Sequence, residues 1–162
     1  MTDWDTTFKM ITASFSFVAI VISIIALIFS KLNNDNNYQS RIDTLNERYC
    51  KTIRDIETSI FNEDIISFKG NVSLLTDLFA HQFTLWRNRK LKNKDIMEWT
   101  RSNSYRLVSL NYKDKGNQTD SFKSIWRRTS RTNKYSIEFT IYMRYMIEGK
   151  FEKIKPLRKC KL

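Results

Sequence analysis

The sequence predicts an all-α fold, with one N-terminal transmembrane helix followed by a small helical domain of about four to five helices. The first observation is an uncharged run of 21 residues, 10–30, between Lys9 and Lys31. The second is a shortage of residues that end helices or form tight turns, with only 3 Gly and 1 Pro in 162 residues. The third is a hydrophobic content of 41%, which is enough to bury a core behind the apolar run.

The first element is the apolar segment 10–30. A helix of that length spans about 30 Å, which matches the hydrocarbon thickness of a bilayer. A cleaved signal peptide would carry a positive N-terminal region, a shorter apolar core and a small-residue cleavage site. This chain instead has Asp3 and Asp5 before a longer core. We therefore predict a single-pass membrane helix.

Small and hydroxyl residues line one face of this segment at alternating spacings of four and three residues. Helices in a bilayer associate through close backbone approach over such residues, and a 3.5-residue period favours left-handed crossing. The alternative is a chance pattern, because Ser and Ala are tolerated in any membrane span. We favour packing against a second copy of the chain or against another membrane protein. The predicted packing residues are Thr12, Ser16, Ala19, Ser23, Ala26 and Ser30.

The positive-inside bias sets the expected orientation. Lys and Arg are more numerous after the apolar run than before it, so the N-terminus is expected outside and the following domain in the cytoplasm. The predicted organisation is a flank at 1–9, the transmembrane helix at 10–30, a polar linker at 31–41, a basic helical cytosolic domain at 42–155 and a basic tail at 156–162. The tail is expected to be exposed after Pro156.

The domain begins behind a polar break, because the run from Asn33 to Asn37 contains side chains that compete with the helical backbone. A helix from Ile42 to Ile60 follows, with apolar residues every three or four positions. Its apolar face does not continue the phase of the small-residue face, so we expect two helices with a joint between them.

Four further helices are predicted from apolar periodicity and from turn and cap residues. The second is expected at 71–90, punctuated by Gly70, and the third at 95–110. A loop at 113–118 precedes a fourth helix that starts near Asp120. A last helix at 135–148 ends at Gly149, although its β-branched and aromatic content leaves a strand open as an alternative.

The formal net charge of +11 draws the chain towards polyanions, either nucleic acid or an anionic leaflet. Two clusters of cations each follow a tryptophan, Trp86 or Trp126. The cations could bind phosphate while the ring stacks on a base, or they could lie on lipid headgroups. They could also be solvated residues at helix ends, where positive charge suits the helix dipole. We favour anionic lipid over nucleic acid as the partner. The cluster residues are Arg87, Arg89, Lys90, Lys92, Lys94, Arg127, Arg128 and Arg131.

Residues that might carry catalysis are sparse. His81 is the one histidine, and neither a phosphate-binding loop motif nor a dinucleotide-binding motif is present. Glu148 and Lys150 match the E-x-K part of a metal-dependent nuclease pattern, for which Asp120 would be the upstream carboxylate. Such a triplet arises readily by chance in a chain rich in Glu and Lys. The sequence therefore predicts no catalytic, cofactor-binding or metal-binding residue and no cofactor.

Three functions are weighed. The leading one is a non-enzymatic, membrane-anchored interaction or oligomerisation protein that presents a basic domain at the cytoplasmic face. The second is a membrane-acting effector of the toxin or phage-defence type, whose spans oligomerise to damage the membrane. The third is a membrane-tethered nucleic-acid-binding protein or nuclease. The layout resembles that of many small bacterial proteins with one N-terminal span, a resemblance of architecture alone.

Overall fold

A computed structural model of the chain describes residues 4–113, 119–132 and 134–158, with the backbone alone described at 5–7, 9–14 and 119. Within these residues the fold is all-α apart from one short hairpin, and the all-α class is the one that the sequence predicts. Its elements are α1 (Trp4–Phe61), α2 (Ile65–Arg87), α3 (Asn93–Ser109), β1 (Asn111–Lys113), β2 (Thr119–Ser121), α4 (Phe122–Thr129), α5 (Ile137–Ile147) and two 3-10 helices (Phe151–Lys153 and Lys155–Arg158).

The chain divides into two compact units, Met1–Ile42 and Asp43–Leu162. In the first unit, residues 31–41 are helical, so the expected break in the helix is wrong. The side-chain amide of Asn37 donates to Oδ1 of Asn33 at 3.4 Å, one helical turn away. These polar side chains can therefore pair along the helix surface instead of competing with its backbone. The role of 31–41 as a linker stays a prediction.

The second unit contains the core of the domain. The predicted periodicity of its first helical segment is confirmed, since Leu45, Tyr49, Ile53 and Ile56 are all buried. Because these residues recur every three or four positions, they lie on one face of the helix. The segment ends at Phe61.

The start of α2 differs from the sequence prediction. The helix begins at Ile65 instead of Asn71, because Asp64 caps it: Oδ1 accepts hydrogen bonds from the backbone N–H groups of Ile66 and Ser67, both at 3.0 Å. Gly70 therefore lies inside the helix. The helix also ends earlier than predicted, at Arg87.

The region between α3 and α4 forms an antiparallel hairpin instead of the predicted loop followed directly by a helix. Asn111 pairs with Ser121, and Tyr112 pairs with Asp120. Residues 114–118 of the predicted loop lie outside the described part of the chain. Asp120 belongs to a strand, and α4 starts after a capping box in which Ser121 and Ser124 bond reciprocally.

The last predicted segment is a helix, which removes the strand alternative. Ser136 caps the N-terminus of α5 by accepting from the backbone N–H of Phe139 at 3.2 Å. Gly149 follows the helix with a φ of 69°, a left-handed conformation that glycine adopts without steric cost. The predicted glycine stop is therefore confirmed.

The segment after Pro156 is packed at its start, so the expectation of an exposed tail is wrong for residues 157 and 158. Leu157 is buried. The guanidinium of Arg158 donates to Oδ1 of Asn93 at 2.7 Å and to the backbone carbonyl of Leu91 at 3.2 Å. The rest of the predicted tail, 159–162, lies outside the described residues.

Candidate functional site

The most unusual surface of the protein is the apolar part of α1. Its large hydrophobic side chains are between 38% and 72% exposed and cover the helix everywhere except along the small-residue face. Among the described residues, α1 is the one helix that is long and apolar enough to cross a membrane, over Phe15–Phe61. Its most apolar 18-residue window has a mean hydropathy of 2.5, and none of that window is buried. The exposed residues are Phe15, Phe17, Val18, Ile20, Val21, Ile22, Ile24, Ile25, Leu27, Ile28, Phe29 and Leu32.

The predicted small-residue face belongs to the same helix. Ser16, Ala19, Ser23, Ala26 and Ser30 are all exposed, while the side chain of Thr12 lies outside the described residues. The Ser23 hydroxyl donates to the backbone carbonyl of Ala19 at 2.8 Å. Its hydrogen is therefore satisfied within the helix. Packing of this face against another helix stays a prediction.

The first basic cluster extends from the last residue of α2, through the turn that follows it, to the first turn of α3. Arg87 is the last residue of α2 and forms an ion pair with Glu138 of α5 at 2.9 Å. Lys90 lies beyond the end of α2. The exposed cations of the cluster are Arg89, Lys90, Lys92 and Lys94.

Neither tryptophan beside these clusters is an exposed stacking surface. Trp86 is fully buried, and its indole N–H donates to Oδ1 of Asn93 at 2.8 Å. Trp126 is 7% exposed and packs against the rings of Tyr135 and Phe139. Both rings are therefore part of the core, and stacking of a base on either face would require the core to open.

The three arginines of the second basic cluster have different surroundings. Arg128 donates to Oδ1 of Asp120 at 2.7 Å. Arg131 lies in the turn after α4 and is exposed. Arg127 is exposed on α4 itself. Arg128 therefore pairs with a buried carboxylate of the domain, although its own side chain is 57% exposed.

Asp120 is the buried carboxylate that pairs with Arg128. The Nζ of Lys69, from α2, lies 3.0 Å from its Oδ2. Burial raises the pKa of this carboxyl, but the bonds and charges of Lys69 and Arg128 outweigh burial and hold the pKa below its ordinary value. This ionised carboxylate ties the hairpin to α2 and α4.

Arg127 lines an open groove between α4 and α5. The groove has a volume of about 390 Å³. Sequence reasoning missed two further cations at this position: the i, i+4 spacing of Lys123 and Arg127 could have pointed to Lys123. No pattern in the sequence links Arg144, on another helix, to them. The lining residues are Lys123, Trp126, Arg127, Ser130, Thr140, Arg144, Ile147 and Glu148.

The carboxylates of the E-x-K pattern are engaged by cations of the chain itself. Oε2 of Glu148 lies 2.6 Å from Nζ of Lys150, and the hydrogen bond from Lys150 lowers the pKa of Glu148. Asp120, the proposed upstream carboxylate, is held by its own pair of cations. Within residues 4–113, 119–132 and 134–158, no three His, Cys, Asp or Glu side chains converge in a way that could hold a metal ion. His81 is exposed on α2.

Comparison with known proteins yields no relative. No protein-family model matches the chain, and neither a curated protein nor a solved structure shows significant similarity to it. Function therefore has to be inferred from the apolar surface of α1 and the basic surfaces of the domain.

Proposed function

We propose that the protein is a single-pass, membrane-anchored interaction protein that associates through its transmembrane helix and presents a basic helical domain at the cytoplasmic face. One observation carries the proposal: the apolar part of α1 is exposed on every side, and none of its most apolar window is buried. A core helix of a water-soluble domain would bury at least one such face.

The size of the exposed apolar surface supports burial in lipid. Twelve large apolar side chains lie between Phe15 and Leu32. Full burial of one such side chain stabilises a protein by roughly 1.5–3 kcal/mol, and these are about half exposed. Transfer of the helix from water to lipid would therefore gain on the order of 10 kcal/mol. That gain is ample for stable insertion.

The small-residue face supports association within the membrane. Its alanine and serine side chains form a shallow strip on a helix otherwise covered by Phe, Val, Ile and Leu. A second helix can approach the backbone closely along such a strip, which gains dispersion contacts that lipid tails do not supply. We expect the partner to be a second copy of this chain.

The proposal is tested by expressing the full chain in a bacterial host and washing its membranes with alkaline carbonate. The chain is expected to stay in the membrane pellet and to be released only by detergent. Protease treatment of sealed inverted vesicles should digest the domain, because the predicted orientation places it on the cytoplasmic side. Recovery of a folded monomer in the supernatant would refute membrane anchoring.

Association is tested by chemical crosslinking of the same membranes. Ser16→Ile together with Ser23→Ile should abolish the crosslinked dimer, because the added side chains hold the helices apart. The matched control is Val21→Phe together with Ile28→Phe, which adds bulk on the opposite face of the helix. An equal loss of dimer in both variants would contradict association through the small-residue face.

Growth of the host separates the leading function from the membrane-acting effector. The interaction protein should be harmless when overexpressed. The effector should arrest growth and collapse the membrane potential, and the serine substitutions should remove both effects. Growth arrest that depends on Ser16 and Ser23 would replace the leading proposal with the effector.

A further inference from the structure

The groove between α4 and α5 combines features that suit a phosphate group. Lys123 and Arg127 lie one helical turn apart on α4, and Arg144 faces the same space from α5. Three cations from two helices thus converge on one concave space. We propose that this groove binds the phosphate group of an anionic lipid headgroup.

The cations of the groove are available for a ligand. Within the described parts of the chain, no acidic side chain forms an ion pair with Lys123 or Arg127, and both are exposed. Arg128, the neighbouring arginine, is held instead by the buried carboxylate of Asp120 at 2.7 Å. The arginines of α4 are therefore divided between a structural one and one that is open to a ligand.

Glu148 is the one acidic residue of the groove lining. Its carboxylate forms an ion pair with Lys150 at 2.6 Å, and the charge of Arg144 also acts on it. Because Lys150 already balances this carboxylate, Arg144 can turn to an incoming anion without leaving Glu148 unpaired. The lining keeps an excess of two positive charges even when Glu148 is counted in full.

The remaining groups of the groove indicate what sort of anion fits. The hydroxyl of Thr140 donates to the carbonyl of Ser136 at 3.1 Å, and that of Ser130 donates to the carbonyl of Arg127 at 3.3 Å. Their hydrogens are already used, so the cations must supply the binding. A phosphate offers several charged acceptor oxygens, which match a fork of two guanidinium groups and an ammonium group.

A lipid headgroup is favoured over a soluble phosphate because of the membrane anchor. This step rests on the proposed function. A domain tethered to a bilayer meets the lipid headgroups at a high effective concentration, so a groove with low affinity is still occupied. A free metabolite would need a deeper and more enclosed pocket to compensate for its loss of motion.

The test uses the full chain in lipid nanodiscs and phenylglyoxal, which modifies free guanidinium groups. One set of discs contains phosphatidylcholine alone, and the other contains equal parts of phosphatidylcholine and phosphatidylglycerol. Modification of Arg127 and Arg144 is followed by mass spectrometry, with Arg131 as an exposed internal reference. Two further arms add inorganic phosphate or a single-stranded oligonucleotide to the phosphatidylcholine discs.

The expected result is that phosphatidylglycerol protects Arg127 and Arg144 but not Arg131. Lys123→Gln should weaken this protection roughly tenfold, the scale of one charge-assisted hydrogen bond. The matched control is the set Arg48→Gln, Lys51→Gln and Arg54→Gln, which removes three exposed cations of α1 and should leave protection unchanged. Thermal unfolding of each variant checks that the domain remains folded.

Three results would overturn the proposal. The first is equal protection of Arg131, which would indicate diffuse charge attraction instead of a groove. The second is equal loss of protection in the α1 control. The third is protection by the oligonucleotide or by inorganic phosphate without protection by phosphatidylglycerol, which would assign the groove to another ligand. These results are independent of the carbonate extraction, so failure of the groove and failure of the anchor are distinguishable.

Discussion

Asp120 offers the most direct test of how the domain is held together. This carboxylate is buried in a short hairpin, and it contacts a cation from α2 and another from α4. We predict that Asp120→Asn, which keeps the shape of the side chain and removes its charge, destabilises the domain. The hairpin would lose its charged link to both helices.

The magnitude follows from the exposure of the partners. Removing one member of a fully buried ion pair costs about 3–5 kcal/mol, because the other charge stays buried, whereas an exposed pair contributes about 0–1 kcal/mol. Here the carboxylate is buried, but the side chains of Lys69 and Arg128 are 45% and 57% exposed and can return to water. We therefore expect a loss of about 1–2 kcal/mol, which corresponds to a decrease of about 4–8 °C in Tm.

The assay is thermal unfolding of the full chain in detergent micelles, followed by near-ultraviolet circular dichroism. Arg128→Gln and the double variant with Asp120→Asn complete a double-mutant cycle, in which a coupling of about 1 kcal/mol is expected. Because the pKa of Asp120 is lowered in the folded state, its contribution is present above the unfolded value of 3.8 and is lost as pH falls through the folded value. An unchanged Tm at neutral pH, or a difference that grows in acid, would refute the reasoning.

Three further predictions concern separate parts of the domain. Gly70→Ala should raise the free energy of unfolding by about 1 kcal/mol, because Gly70 lies inside α2 with open space at the position of a Cβ; a lower Tm would contradict this. Arg158→Ala should lower it by about 1–2 kcal/mol and expose the C-terminal segment to trypsin, because the bonds to Asn93 and to a backbone carbonyl are lost. Burial and the nearby Asp77 raise the pKa of Tyr135 to about 12. The resulting stability is present below pH 10 and lost as pH rises towards 12, so Tyr135→Phe should reduce the alkaline decrease in Tm.

Features that depend on neighbouring residues along the chain were predictable from the sequence. The uncharged length of 10–30 and the three-to-four spacing from Leu45 to Ile56 depend only on helix geometry and side-chain polarity. The glycine stop at Gly149 depends on local backbone conformation. Each was visible because the physical cause and its effect lie within a few residues of each other.

Errors in the sequence prediction had two causes. Local signals competed at the start of α2, where Gly70 and Asn71 resembled a helix boundary although Asp64 supplies the actual cap. Elsewhere the deciding contact was distant in sequence. Arg158 was assigned to an exposed tail because nothing nearby reveals its bonds to Asn93 and to the backbone carbonyl of Leu91.

The sequence alone thus determined that the chain is helical, strongly basic and long enough in one apolar run to span a bilayer. Hydrophobicity, charge and helical periodicity can each be read directly from the order of the residues. Only the tertiary structure decided which cations pair with a buried carboxylate and which line an open groove. Arg127 lines an open groove and Arg128 is bound to a buried carboxylate, although they are adjacent in the sequence. Adjacent residues of a helix point in different directions, and the residues that contact their side chains belong to other segments of the chain.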